Sequence, residues 1–371
     1  MSGLEGYEGY EGYEGYEGYE GYEGYEGSGG RRPSSGAMNL HREGIVGPFN
    51  FIANPWPIRQ GPVSTTSFLD RWDPRIRRFL FEFELLSCLY FDIDAAGTES
   101  ATLWHANIAP GAPPAGAWAR FATIVRPTAP GIFSGQLNLV NGYADLRTDR
   151  AREIAAQIAP QYAFWATILP LYRERHARTY ELIQLVLRLA KYAEMNFKNA
   201  LHVTRPHEYS SQVQPMIETP AHGSFPSGHA TEAHAVARVL FELVSRAPLG
   251  PEHAQLRELL MRQAARIAIN RTVAGVHYPV DSMAGQALGF AVAEYFIQRC
   301  TAGAANNVAS LTFDGAAYPG NQDFTGNEFY NPTTDAFMNP APPYYARVAG
   351  AITVRQSLPL NWLWRQASNE W

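Results

Sequence analysis

The stretch Phe225-Pro226-Ser227-Gly228-His229-Ala230-Thr231-Glu232-Ala233-His234-Ala235-Val236-Ala237-Arg238-Val239-Leu240-Phe241 sets the reading of this chain. Ala230, Ala233, Ala237, Leu240, Phe241 and Val244 recur at helical spacing, which predicts a helix over 227–245 with one apolar face. Ser227 is a preferred N-cap residue, and the N–H groups exposed at a helix start form a ready anion site. Gly228 lets the backbone approach a ligand closely. His229, in the first turn, can reach whatever those amides hold. Taken alone, the segment reads more readily as a capped helix with a surface histidine.

Upstream, Leu182, Leu185, Val186, Leu189 and Ala193 predict a long helix over about 172–202. It must stop before Arg205, because Pro206 disfavours helix in its predecessor. Lys198 therefore stands at a helix end and Arg205 on the turn beyond it. A guanidinium grips phosphate-like oxygens in bidentate fashion and an ammonium adds a compact charge, although two basic residues so spaced are usually only solvated. Downstream, Leu256, Leu260, Ala264 and Ile267 predict a helix over 251–270, and another follows over 281–297, where Gly285 and Gly289 permit close helix contact. Between them lie Arg271, a Thr-Val-Ala-Gly-Val turn, His277 and Asp281. A carboxylate beside a histidine accepts its second N–H and fixes the tautomer, which serves a nucleophilic imidazole or a metal ligand equally.

Composition bounds the rest. The chain has 371 residues and a formal net charge of −5, with 46% hydrophobic and 13% aromatic residues, which excludes wholesale disorder. Eight glutamates and two arginines fall in residues 1–36, so the remainder is close to neutral and offers no charge excess for nucleic acid. Residues 5–25 are seven Glu-Gly-Tyr copies, and the tail 1–36 is expected to be disordered. No apolar run approaches the roughly 20 residues of a membrane span, so no membrane partner is expected and a cytoplasmic placement is assumed. Cys88 and Cys300 stand apart without a CxxC or Cys/His cluster, which disfavours a disulfide framework and a structural zinc. Residues 37–160 read as an extended and helical layer, with an aromatic-rich apolar segment over 77–91, a further stretch over 117–125, and segments 150–158 and 162–169 parted by Pro160. Residues 161–300 read as the functional helical bundle. Residues 301–371, rich in Asn, Pro, Gly and aromatics, read as a loop-rich wrapping segment whose Tyr and Trp content suggests a homo-oligomer. No run of alternating strand residues stands out, so the expected class is all-α.

The three clusters, Lys198-x6-Arg205-Pro206, Pro226-Ser227-Gly228-His229 and Arg271-x5-His277-x3-Asp281, are similar to the pattern shared by type 2 phosphatidic acid phosphatases (the PAP2 superfamily), bacterial acid phosphatases and vanadium-dependent haloperoxidases. The resemblance covers residues 198–281 and implies that all-α fold. Asn270 departs from it, standing where the family usually has Ser. The resemblance implies that Lys198, Arg205 and Arg271 bind the equatorial oxygens of a tetrahedral anion, with the Ser227 hydroxyl and Gly228 N–H. His277 would take the axial position, oriented by Asp281, and His229 would act as general acid/base on the opposite side.

Two reactions use such a cradle. The favoured expectation is a haloperoxidase in which His277 ligates vanadate as the cofactor, with hydrogen peroxide and halide as co-substrates. It rests on the lack of transmembrane and signal segments, and on about 160 residues before Lys198 that resemble the extra helical layer of haloperoxidases. It rests also on His222, at a position where the bromoperoxidase branch carries His and the chloroperoxidase branch Phe, which favours bromide. His222 reads otherwise as an ordinary loop histidine. The alternative is a soluble phosphatase that needs no cofactor and cleaves phosphate monoesters through a phosphohistidine. A binding protein without turnover would need a broken catalytic residue, and only Asn270 departs.

Overall fold

The computed structural model describes residues 63–371 apart from 96, 107–117, 130, 159–160, 246–252 and 302–305. The repeat tail 1–36, the Pro160 interruption and the first residues of the helix expected over 251–270 lie outside the described residues.

Asp73 caps helix α1 (Pro74–Leu86) by accepting from the Arg75 N–H, and Pro74 opens the first turn. An antiparallel meander follows, β1 (Leu89–Ile93), β2 (Ser100–Ala106) and β3 (Trp118–Val125). Helices α2 (Ile132–Gly142), α3 (Arg147–Ala156) and α4 (Tyr162–Ala166) lead to the long α5 (Ala177–Leu201) and the single turn α6 (Pro206–Tyr209). Then come α7 (Gly228–Val244), α8 (His253–Val273) and α9 (Pro279–Thr301). The chain closes with β4 (Asn306–Asp314), the small hairpin β5 (Tyr330–Asn331) and β6 (Ala336–Phe337), β7 (Tyr345–Val354) and α10 (Leu358–Ser368).

Nearly every residue of α9 is buried, so it forms the centre of the molecule, packed against α5, α7, α10 and β4. Its contact with α7 needs glycine. A Cβ at Gly285 would lie 2.6 Å from the Ser227 carbonyl oxygen, and one at Gly289 would lie 2.5 Å from that of Thr231. This close approach, expected from the sequence, brings the start of α7 to the start of α9, where the Ser227 N–H donates to the Asp281 carbonyl at 2.9 Å.

The all-α expectation is corrected by a mixed sheet of order β1-β2-β3-β4-β7. Residues 118–125, read as one more segment of the helical layer, form β3, and the apolar run 77–91 breaks into α1 and the start of β1. The physical reason is twofold. The inner residues of β2 and β3 are buried consecutively rather than alternately, so they show no period of two. The pairing that completes the sheet is parallel and joins Ala122–Val125 to Leu311–Asp314, across the whole bundle in sequence. The segment 301–371 is likewise not loop alone, since it supplies β4, β7 and α10. Its aromatic residues are buried in the chain itself: Tyr318, Tyr330, Tyr344, Tyr345 and Trp364 are all buried, and Phe329 stacks on Tyr345 with centroids 4.1 Å apart. The reason for expecting a homo-oligomer therefore falls away.

Candidate active site

The residues singled out from the sequence sit at the ends of the bundle helices. Lys198 lies in the last turn of α5, which ends at His202 in a left-handed conformation. The Lys198 ammonium donates to the carbonyls of Gly223 and Ser224 at 3.3 and 3.2 Å. Arg205, one residue before α6, donates from Nε to the His222 carbonyl and from Nη1 to that of Val276, both at 2.9 Å. Its Nη2 meets the Gly223 carbonyl at 3.4 Å and His222 Nδ1 at 3.2 Å. The 222–224 loop thus gathers both cations, and a Cβ at Gly223 would lie 3.2 Å from the Lys198 carbonyl oxygen, a tight fit against the end of α5.

Ser227 caps α7, its hydroxyl oxygen accepting from the Ala230 N–H. After α8, Gly275 turns the chain at φ 79° and delivers His277 to the start of α9. There the His277 Nδ1–H donates to Asp281 Oδ2 at 2.9 Å, and the same oxygen accepts from the Tyr278 N–H at 3.0 Å. The His229 Nε2–H donates to the Gln157 carbonyl at 2.9 Å.

Lys198, Arg205 and Arg271 are each at most 2% exposed. Three buried cations in one place are costly unless something negative balances them. Asp281, whose charge acts on both Lys198 and Arg205, is engaged with His277. Glu194, packed beneath Gly228, is a poor counterion: burial, and then Glu232 beside it, raise its carboxyl well above the usual range. Arg271 spends Nη2 on the Ile154 carbonyl and the Gln157 side-chain oxygen, yet its buried Nε and Nη1 have no partner among the described residues. Two orphaned guanidinium donors are what a tetrahedral oxyanion would satisfy, so the residues fit phosphate or vanadate alike.

The electrostatics agree. Burial, followed by the charges of Arg205 and Lys198, pushes His277 well below the ordinary histidine value, so its ring is neutral. With Nδ1–H committed to Asp281, the lone pair lies on Nε2. Burial and then Arg271 lower His229 to about 3. Burial takes Lys198 down to about 8 and Arg271 to about 10, and it raises Asp281 to about 6.

Three findings lie outside the sequence reading. A Cβ at Gly228 would come within 2.5 Å of Glu194 Oε1, so the missing side chain makes room for that carboxyl as well as for any ligand. Asn270 is buried and donates from Nδ2 to Gln157 Oε1 at 3.1 Å while accepting from Arg150 Nη1 at 3.0 Å. Gln157 itself, at the end of α3, touches Asn270, Arg271 and His229, and no motif points to it. His222 is solvent-exposed beside Arg205, and His234 is a core residue whose Nδ1–H donates to the Ala230 carbonyl at 2.8 Å.

Residues 163–301 match the PAP2 superfamily, and the match contains every residue of the three motif clusters. No curated protein matches. Among solved structures, the chain is similar to the crystal structure of the first transmembrane PAP2 type phosphatidylglycerolphosphate phosphatase from Bacillus subtilis, at 21% identity over 44% of this chain and 84% of that one, with a TM-score of 0.37. The cytoplasmic placement assumed from the sequence is withdrawn, because a protein in this comparison is described as transmembrane. Among the described residues, no helix is long and apolar enough to cross a membrane.

Proposed function

We propose that the chain is a PAP2-type phosphatase that hydrolyses phosphate monoesters through His277. The observation that supports an oxyanion reaction at His277, in this reading and in the second alike, is the orphaned pair of Arg271 donors inside a buried cluster of three cations, beside an imidazole whose Nδ1–H is held by Asp281. What ranks the phosphatase first is the β1–β3 meander in place of an all-helical layer. The phosphoryl oxygens would bind Lys198, Arg205 and Arg271, with the Ser227 hydroxyl and the Gly228 N–H at the start of α7. The bound anion offsets the cations that depress His229, so this ring enters the cycle protonated on Nδ1 while Nε2–H stays on the Gln157 carbonyl. His277 Nε2 attacks phosphorus, the P–O ester bond breaks, and the departing alkoxide takes the Nδ1 proton of His229. His229, now neutral, accepts a proton from the water that attacks the phosphohistidine. Inorganic phosphate leaves and His277 is restored.

The haloperoxidase reading is the second. One of its supports is a helical layer before the bundle, and the meander β1–β3 interrupts that layer. It keeps one specific support, the contact of His222 with Arg205 at 3.2 Å. Vanadate in the same cradle, held by Lys198, Arg205, Arg271 and His277, would supply activation of hydrogen peroxide toward halide.

The two readings separate in one assay series on the whole chain: a nitrophenyl phosphate, an alkyl phosphate, and bromide with hydrogen peroxide and vanadate. The phosphatase reading expects ester turnover without vanadate, and inhibition when vanadate is added. Brisk vanadate-dependent bromide oxidation with feeble ester turnover would reverse the order of the two.

A further inference from the structure

Gln157 lies at the C-terminal end of α3, outside residues 163–301 that match the PAP2 superfamily, and its side chain is completely buried. We propose that Gln157 is a positioning residue of the anion site, aiming Arg271 through its side-chain amide and setting the tautomer of His229 through its backbone carbonyl. The proposal rests on the oxyanion site described above and holds for either chemistry.

The amide cannot turn over. Its Oε1 accepts from Arg271 Nη2 at 2.9 Å and from Asn270 Nδ2 at 3.1 Å, which uses both lone pairs. Its Nε2 donates to Glu153 Oε1 at 3.2 Å, and that carboxylate is gripped by Arg266 through two bonds of 2.6 Å. A flipped amide would set its NH₂ against two donors and its oxygen against a carboxylate. Asn270 is held in turn by Arg150 at 3.0 Å. This network also accounts for Asn at the place where the family usually has Ser: the longer amide spans from Arg150 to Gln157. With Nη2 spent on Gln157 and Ile154, the plane of the Arg271 guanidinium is set, and Nε and Nη1 are the donors left for the anion.

The second half of the residue acts on His229. A carbonyl oxygen only accepts, so Nε2 of His229 must carry its proton and the neutral ring keeps its lone pair on Nδ1. A glutamine suits this place better than a glutamate. The amide oxygen orients Arg271 without cancelling the positive charge that an anion needs, whereas a carboxylate would pair with it.

The test is binding of inorganic phosphate by calorimetry, with nitrogen-15 NMR of His229, in the parent, Gln157→Met and Gln157→Glu. Both variants should bind about tenfold more weakly, the loss of one charge-assisted hydrogen bond for Met and competition from a new anion for Glu. In an Arg271→Lys background the Gln157→Met change should cost no more than about twofold, because the partner it aims is gone. The unliganded parent should show the His229 proton on Nε2. Phosphate affinity within twofold of the parent in both variants, an equal loss in the Arg271→Lys background, or a proton found on Nδ1 would each overturn the proposal. If Gln157→Met does not fold, Gln157→Glu and the NMR of the parent still decide. A parent that binds no phosphate at all removes the oxyanion site itself, which is a different failure.

Discussion

The helices α5, α7 and α8 and the sheet β1-β2-β3-β4-β7 pack on the same central helix, α9, yet bundle and sheet are specified over different ranges of chain. The motif residues all come from Lys198 to Asp281, and each stands at a helix end whose cap or turn is visible locally. The sheet instead joins Ala122–Val125 to Leu311–Asp314, with the whole bundle between them. Close pairing in sequence makes the bundle readable and its site compact. Distant pairing makes the sheet unreadable locally and carries a larger loop-closure cost before its contacts form. The difference suggests a division of labour, with chemistry in the bundle and stability shared with the sheet.

The largest expected effect falls on the bundle. His277→Ala should lower turnover roughly 10⁴-fold or more, since the group proposed to attack phosphorus is removed. The far-ultraviolet circular dichroism should stay that of the parent. Residual turnover above one hundredth of the parent, on the same ester, would sink the site assignment.

Ile124→Ala should act in the opposite way. Ile124 is fully buried in β3, so its truncation leaves a cavity and should cost about 2–5 kcal/mol of unfolding free energy. Denaturant titration reads that loss. Phosphate affinity of the folded fraction should not move, and a parallel drop in affinity would show that the sheet and the site are one unit.

Gly285→Ala probes the seam between the two behaviours. Its Cβ would press on the Ser227 carbonyl, so a stability loss of about 1–3 kcal/mol is expected from overpacking. Unlike Ile124→Ala it should also weaken phosphate binding, because it parts the starts of α7 and α9 where Ser227 is bonded to Asp281. A variant that loses stability but binds phosphate like the parent would contradict this link.

The smallest effect is set by pH. Burial holds the Lys198 ammonium near 8 rather than at the ordinary lysine value. Below that pH the group is charged and attracts the anion; above it the charge is lost and attraction weakens. Phosphate affinity should therefore fall above about pH 8, by at most tenfold per pH unit for one proton. Titrations between pH 6 and 10 check the slope, and Lys198→Met should bind weakly throughout with that limb flattened.

Several parts of the molecule are legible in the amino-acid sequence alone. The periodic leucines of α5, the Ser227 cap of α7 and the small residues of α9 each carry a local physical signal, and the helices lie where those signals put them. The sheet is not legible, because β2 and β3 are buried without alternation and find their last partners far along the chain. The aromatic C-terminal segment misleads for a related reason. Its Tyr and Trp residues need cover, and the cover comes from this chain rather than from a second one.

By itself, the sequence determined which side chains could hold an oxyanion, since cations, a capped helix start and a His/Asp pair at set spacing are properties of short segments. Only the tertiary structure decided that Lys198, Arg205 and Arg271 would be buried together with two donors unsatisfied, and that Gln157 would hold Arg271 and His229 from another layer. The bond to His229 uses a backbone carbonyl, which every residue type possesses, so no choice of side chain could announce it.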